Sequence, residues 1–120
     1  MSVKVERQHQ KIDAAGKTPG RLATQVATLL IGKNKASFTP NIDGGDFVEV
    51  GNISKLVFSG KKNTRTVKHT HSGYQGGLKT ENLQTLFTKD PVKFFRNVVS
   101  RMLPKNTHRT PRLKRLTVTK

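Results

Sequence analysis

A helix with complete start and stop signals lies near the amino terminus and restricts how the rest of the chain can fold. It begins at Thr18-Pro19, because threonine is a favoured N-cap residue and proline suits the first helical position. Leucine and valine then recur at helical spacing, and Gly32 stands where a left-handed C-cap belongs, which predicts a helix over 19–31. An extended segment at 11–14 precedes it, so the chain opens with a strand, a loop and a helix.

A second long helix and further strand-like segments follow. Asp90-Pro91 starts this helix, Phe95 and Val99 belong to its apolar stripe, and Pro104 ends it. Strands are predicted around 47–50, 56–58, 64–70 and 116–118, and a short helix is predicted from Thr80 to Phe87. The alternation of strands and helices favours one α/β layered domain over an all-β fold.

Positive charge is concentrated in the second half of the chain. The formal net charge is +16; residues 1–60 carry eight Lys/Arg against five Asp/Glu, whereas residues 61–120 carry fifteen against two. From Arg101 onward there are seven Lys/Arg and no acidic residue. This density of one sign is typical of a protein whose partner is a polyanion, so we expect nucleic acid. A lipid surface is disfavoured because residues 109–120 lack a broad apolar face.

Several classes of function are disfavoured by what the sequence lacks. There is no cysteine, which excludes disulfides and thiolate zinc sites. The seven acidic residues are scattered, so a metal-dependent nuclease, the best enzyme alternative, lacks its carboxylate cluster. His69 and His71 alone make a poor metal site. Gly16-Lys17-Thr18 resembles the end of a P-loop, but Lys11 stands where its first glycine is required. We therefore expect no enzyme, no metal and no cofactor.

Two segments combine residue types that bind irregular RNA. The segment His71–Lys79 has three glycines, which let backbones approach closely, beside hydroxyl, imidazole, phenol and lysine groups. A flexible glycine turn with a solvated lysine explains this composition about equally well. The segment Arg101–Asn106 places cations where a helix stops at a proline, and an ordinary helix end stabilised by its dipole is the alternative there.

Short motifs along the chain resemble, in order and spacing, the bacterial form of the family of large-subunit ribosomal protein thirteen. The resemblance covers about residues 11–119, and the most specific parts are HSGYQGGLK and MLPKN. The chain departs from the family pattern at Gln10-Lys11, where relatives have an aromatic pair, and at 107–110, where they have Gly-Leu-Gly-Arg. The other matching motifs are Ile12-Asp13-Ala14, Gly16-Lys17-Thr18, Gly20-Arg21-Leu22-Ala23, Gly32-Lys33, Thr39-Pro40, Gly45-Asp46-Phe47 and Gly60-Lys61-Lys62.

The resemblance implies a fold and a function. The fold would be a three-layer α/β/α single domain, residues 1–120, around a small, mostly parallel four-stranded sheet. Residues 1–10 would form an amino-terminal extension and residues 107–120 a basic carboxyl-terminal segment. Family members are structural constituents of the large ribosomal subunit that bind its RNA, join early in assembly and are not enzymes. The implied partners are large-subunit ribosomal RNA and neighbouring ribosomal proteins, without a homo-oligomer or a membrane, in the ribosome of the cytoplasm.

The resemblance also implies a set of RNA contacts. Those on family motifs are Lys17, Arg21, Lys33, Lys35, Lys61, Lys62, His71, Ser72, Gly73, Tyr74, Gly76, Gly77, Lys79, Arg101, Lys105 and Asn106. The basic carboxyl-terminal segment adds Arg109, Arg112, Lys114 and Arg115. The alternative is a free-standing nucleic-acid-binding protein, and messenger RNA outside the ribosome is also left open as a secondary partner of the ribosomal protein.

Overall fold

A parallel sheet and a separate antiparallel ribbon organise the chain. The computed structural model describes residues 5–120, apart from the side chains of Lys62 and Asn63. The elements are β1 (His9–Asp13), α1 (Pro19–Ile31), β2 (Phe47–Gly51), a 3-10 turn (Ile53–Lys55), α2 (Lys62–Arg65), β3 (Val67–His71), β4 (Leu78–Asn82), α3 (Leu83–Lys89), α4 (Pro91–Met102), α5 (Arg109–Lys114) and β5 (Leu116–Val118). The parallel sheet has the order β1-β2-β5, and β3 pairs with β4 in the antiparallel ribbon.

The apolar core lies on one face of the parallel sheet. Val48 and Val50 are buried, whereas Phe47 and Glu49, which alternate with them along β2, are exposed. The helices α1 and α4 pack against each other and share one buried cluster with the sheet. Its largest fully buried apolar side chains include Phe95, Leu22, Leu30, Val26 and Val99. The described chain is therefore an α/β fold whose long helices cover one face of the sheet.

Within residues 5–120 the parallel sheet has three strands, where four were expected. The segment 56–58 is not a strand, because Asn52 at a φ of 58° turns the chain into the 3-10 turn. Beyond that turn Leu56 is buried, and the ring of Phe58 lies edge-on to those of Phe87 and Phe94, with centroids 5.2 and 6.0 Å away. Leu56 thus joins the core and Phe58 packs on the two rings from an irregular segment, without ladder hydrogen bonds to a neighbouring strand.

Both long helices have the predicted bounds. Pro19 occupies the first turn of α1, and Gly32 adopts a φ of 89° and donates its N–H to the Thr28 carbonyl. The Asp90 carboxylate caps α4 by accepting the Lys93 N–H at 3.1 Å. The capping residues and the tertiary packing therefore favour the same helix ends.

Three smaller expectations need correction. The helix α3 begins at Leu83 with Asn82 at its N-cap, because Thr80 belongs to β4 and pairs with His69. The strand expected over 64–70 is instead the short helix α2 followed by β3. The basic carboxyl-terminal segment, 107–120, for which only the strand at 116–118 was expected, also contains the helix α5.

Candidate nucleic-acid interface

The ribbon of β3 and β4 is the most exposed structure in the described chain. Every residue of β3 is exposed, and so are the first four residues of β4. An isolated two-stranded ribbon is at best marginally stable in water, and outside the ribbon the main contacts of β4 are with α2 and α3. The radius of gyration is 16.4 Å, against about 14 Å for a compact chain of this length. The ribbon is thus placed to bind a partner outside the fold.

The register gives this ribbon two chemically different faces. Lys68 lies opposite Glu81, and Thr70 lies opposite Lys79, on the charged face. The other face carries no formal charge; it consists of Val67, His69, His71, Leu78, Thr80 and Asn82. Because strand residues alternate between faces, a single ribbon can offer ammonium groups on one side and imidazole and apolar groups on the other.

The loop that joins the two strands is ordered by its own hydrogen bonds. The Ser72 N–H donates to the Gly77 carbonyl at 3.3 Å, and the Gly77 N–H donates to the Tyr74 carbonyl at 3.0 Å. Gly73 and Gly76 take positive φ values of 87° and 69°, which favour glycine. A Cβ on Gly77 would lie 2.1 Å from the Ser72 Oγ, so no side chain fits there without a shift.

This loop presents one large ring to solvent. The Tyr74 side chain is 79% exposed at the tip of the ribbon. An exposed ring held on an ordered loop can stack on an unpaired base without the entropic cost of ordering a flexible segment. The defined geometry argues against the flexible-turn alternative raised by the composition.

The corner after α4 is a second exposed basic segment. Arg101, Lys105 and Asn106 are exposed, while Leu103 between them is 3% exposed and fixes the corner in the core. The Asn106 side-chain oxygen accepts the His108 N–H at 3.1 Å. The NH2 group of the Asn106 side chain is therefore the part that can donate hydrogen bonds to a partner.

Cations near the first helix divide into exposed and internal ones. Lys17, Arg21 and Lys33 are exposed. The Lys35 ammonium instead lies 2.7 Å from an Asp46 carboxylate oxygen and donates to the Glu6 carbonyl at 2.6 Å. Burial raises the pKa of Asp46, but hydrogen bonds from Lys35 and from the Gln8 N–H outweigh that effect and hold the pKa below its usual value.

Two cations of the carboxyl-terminal segment lie inside the fold. Arg112 is 2% exposed and Arg115 is 9% exposed. Two nitrogens of Arg115 lie 2.7 Å from the two carboxylate oxygens of Asp43, and the Arg112 Nε lies 3.3 Å from one of them. Arg115 also donates to the Leu30 carbonyl at 3.0 Å, which ties this network to the end of α1. The charge of both arginines is engaged within the protein.

Asp43 is a residue whose importance sequence reasoning missed, because its setting, Asp43-Gly44-Gly45-Asp46, is typical of an ordinary turn. Burial raises its pKa, but hydrogen bonds and charge from Arg115 and then Arg112 outweigh burial and hold the pKa below its usual value. Sequence spacing contains no signal for this contact, because Asp43 and Arg115 are 72 residues apart. Lys68 was also missed as a candidate, although strand alternation puts it on the charged face of the ribbon.

The remaining expected contacts are placed as follows. Lys61, Lys79 and Lys114 are exposed, and Arg109 is half-buried. Lys62 begins α2, and its side chain lies outside the described part. Residues from His71 to Lys79 are brought together on one ribbon. Within the described chain, no hydrogen bond or ion pair joins that ribbon to the corner at 101–106.

Other kinds of site find little support in the described residues. No group of three or more histidine, aspartate or glutamate side chains in 5–120 is arranged to hold a metal ion. Within the same range, every helix is too short or too polar to cross a bilayer. A basic α/β fold with exposed cations and an ordered loop is typical of small nucleic-acid-binding scaffold proteins.

Comparison with known proteins identifies the family. A family model described as ribosomal protein L13 matches residues 7–120. The large ribosomal subunit protein uL13 of Chloroflexus aggregans is 52% identical over 102 residues, 85% of this chain and 71% of that relative. The uL13 of Clostridioides difficile is 48% identical over 114 residues, and that of Thermotoga maritima is 46% identical over 114 residues; both cover 95% of this chain, and 80% and 76% of the relatives. The chain belongs to the ribosomal protein L13 family.

Membership confirms the resemblance found in the sequence. It also confirms that the chain is not an enzyme, because the family consists of structural proteins of the ribosome. Membership assigns the chain to the ribosome in the cytoplasm.

Proposed function

We propose that this chain is a structural constituent of the large ribosomal subunit that binds and organises large-subunit ribosomal RNA. Residues 1–120 act as one ribosomal-protein domain, in contact with that RNA and with neighbouring subunit proteins, and not as a homo-oligomer. The observation that carries the proposal is the exposed ribbon with its ordered glycine loop, in a chain of the L13 family.

The exposed and internal cations have different tasks in this proposal. Exposed ammonium and guanidinium groups neutralise phosphates where RNA strands converge. These groups are Lys17, Arg21, Lys33, Lys61, Lys79, Arg101, Lys105 and Lys114. Lys35, Arg112 and Arg115 hold the fold together instead, because each already faces a carboxylate at 3.3 Å or less.

Shape supplies the rest of the recognition. Sequence-specific contacts to RNA are made mostly with unpaired nucleotides, because the deep groove of an RNA duplex is too narrow for side chains. Tyr74 on its ordered loop and Asn106 at the corner are suited to unpaired nucleotides and irregular backbone. We further propose that the chain joins early in assembly, as the resemblance to its family implies.

Gradient fractionation tests the proposal. A tagged copy of the whole chain is expressed in a bacterium, and its lysate is separated on a sucrose gradient in moderate salt. We expect one copy per large subunit, retained after the subunits are dissociated. A chain found mainly in light fractions with messenger RNA would support the free-standing alternative and contradict the ribosomal one. A triple variant with Lys79, Arg101 and Lys105 changed to Ala should shift toward the light fractions.

A further inference from the structure

His71, the last residue of β3, has one ring nitrogen engaged by the loop that follows. The Gly73 backbone nitrogen lies 2.9 Å from the Nδ1 atom of His71, and its N–H donates to that atom. A backbone N–H can only donate, so Nδ1 must be the unprotonated acceptor. A neutral imidazole with an acceptor at Nδ1 carries its proton at Nε2. The loop thereby selects one tautomer of this side chain.

The other ring nitrogen is directed away from the fold. His71 is exposed, and its Nε2 has no hydrogen-bond partner among the described residues. The ribbon face that carries it bears no formal charge, because Lys68, Lys79 and Glu81 lie on the opposite face. On the same face, Leu78 lies opposite His71, and the nearest other imidazole, His69, has its Nδ1 3.1 Å from the Thr80 hydroxyl. The Nε2–H of His71 is thus a neutral, exposed donor.

We propose that the two ring nitrogens of His71 divide the work of RNA binding. Nδ1 holds the glycine loop in its binding conformation, and Nε2–H donates one hydrogen bond to an oxygen acceptor of the RNA backbone, a phosphate oxygen or a ribose 2′-hydroxyl. This inference rests on the proposed function and assigns a defined contact to it. Ring and loop orient each other, so the donor direction is set before RNA arrives.

Two substitutions separate the two nitrogens. In His71→Asn the side-chain carbonyl oxygen takes the position of Nδ1 and can still accept the Gly73 N–H, but the donor at Nε2 is lost. In His71→Gln the amide nitrogen reaches the position of Nε2, but the acceptor beside Gly73 is lost. Hydrogen exchange of the Gly73 amide reports the loop conformation, and filter binding to full-length large-subunit ribosomal RNA of Chloroflexus aggregans, the source of a 52% identical relative, reports the contact.

The expected results differ between the two variants. His71→Asn should keep the slow exchange of the Gly73 amide and bind this RNA about fivefold more weakly, the effect of one lost hydrogen bond. His71→Gln should lose that slow exchange. Nitrogen-15 NMR of the wild-type imidazole should show the proton on Nε2. Wild-type affinity in His71→Asn, or a proton found on Nδ1, would overturn the inference.

Analogue interference distinguishes a phosphate oxygen from a 2′-hydroxyl as the acceptor. A comparison of RNAs distinguishes failure of the His71 contact from failure of the proposed ribosomal function. The same RNA is prepared with random phosphorothioate or random 2′-deoxy substitutions, and bound molecules are mapped. A substituted position that weakens binding of the wild type but not of His71→Asn identifies the acceptor: a phosphate oxygen in the phosphorothioate library, or a 2′-hydroxyl in the 2′-deoxy library. If neither library contains such a position, the inference is contradicted. If wild type does not prefer this RNA over a messenger RNA of equal length, both proposals fail. If it does prefer it and His71→Asn binds equally well, only the inference fails.

Discussion

The layered core and the β3–β4 ribbon use charge in opposite ways. In the core, Asp43 faces Arg112 and Arg115, and Asp46 faces Lys35, so these three cations have carboxylate partners within the fold. In the ribbon nearly every side chain is exposed, and its cations face solvent. Net charge alone therefore does not identify RNA contacts, because part of the basic carboxyl-terminal segment stabilises the protein itself. We propose that the core provides the stability of the chain and that the ribbon and the corner at 101–106 bind RNA.

The largest expected effect separates the two regions by stability. Phe95→Ala should lower the free energy of unfolding by about 3–5 kcal/mol, because a fully buried ring leaves a cavity that the core only partly fills. Urea denaturation of the whole chain measures it. The matched change in the ribbon, Tyr74→Ala, should alter the unfolding free energy by about 0.5 kcal/mol or less while weakening RNA binding. Equal destabilisation by both changes would remove the distinction.

The next largest expected loss of stability concerns the ion network of Asp43, Arg112 and Arg115. Asp43→Asn should cost about 3 kcal/mol of unfolding free energy, because it leaves two nearly buried guanidinium groups without their carboxylate. Lys114→Ala is the control, since it removes an exposed cation from between the same two arginines. A larger effect of Lys114→Ala than of Asp43→Asn on stability would show that the network does not hold the core.

Acid unfolding tests the same network without a substitution. The folded-state pKa of Asp43 lies below its ordinary value of 3.8, so the unfolded chain takes up the proton first as pH falls. The stability contributed by this carboxylate is fully present above pH 3.8 and is lost as the pH drops through the folded-state pKa. The free energy of unfolding should therefore decrease as the pH is lowered from about 4. Asp43→Asn should show a shallower fall; an identical pH profile would contradict this.

A change in the ribbon loop should affect binding and not stability. Gly77→Ala places a Cβ 2.1 Å from the Ser72 Oγ and 2.9 Å from the Tyr74 carbonyl oxygen, so the loop must move. We expect about tenfold weaker RNA binding, equivalent to about 1.4 kcal/mol, with an unchanged urea midpoint. Gly20→Ala is the control, because its Cβ meets no atom within 4 Å. Unchanged RNA affinity in Gly77→Ala would show that the loop conformation is not used.

The smallest expected effect concerns salt. Arg101→Ala and Lys105→Ala should each reduce the slope of log affinity against log salt concentration by about 0.7–0.9, the value for one lost phosphate contact. The control is Lys89→Ala, an exposed cation outside the proposed contacts. Titrations at four salt concentrations give the slopes. If neither corner variant differs from the Lys89 control, the corner is not part of the interface.

Much of the core was predictable because its signals are local. Pro19, Gly32, Asp90 and Pro91 determine helix ends through backbone conformation and capping, which depend on neighbours in sequence. The strand error at 56–58 arose because an apolar run indicates burial equally well in a strand and in an irregular segment. The four-stranded sheet and the three-layer arrangement, in contrast, were implied by the resemblance.

The candidate site was predictable in composition and not in arrangement. The glycines of the 71–79 segment indicated either close approach to another backbone or a flexible turn, and only the fold shows that His71 accepts the Gly73 N–H. The internal engagement of Arg112 and Arg115 could not be foreseen, because their carboxylate lies on a loop about seventy residues away. Charge is a property of composition, whereas its neutralisation depends on tertiary contacts.

The most direct test of the proposal that the ribbon and the corner bind RNA, while the core arginines do not, is crosslinking of the whole chain to RNA in cells. Both the crosslinked peptides and the crosslinked nucleotides are mapped. We predict that peptides containing His71–Lys79 and Arg101–Asn106 crosslink to one region of large-subunit ribosomal RNA, while Arg112 and Arg115 do not crosslink. Crosslinks spread over many unrelated RNAs, or concentrated at the two buried arginines, would contradict the assignment of RNA binding to the ribbon and the corner.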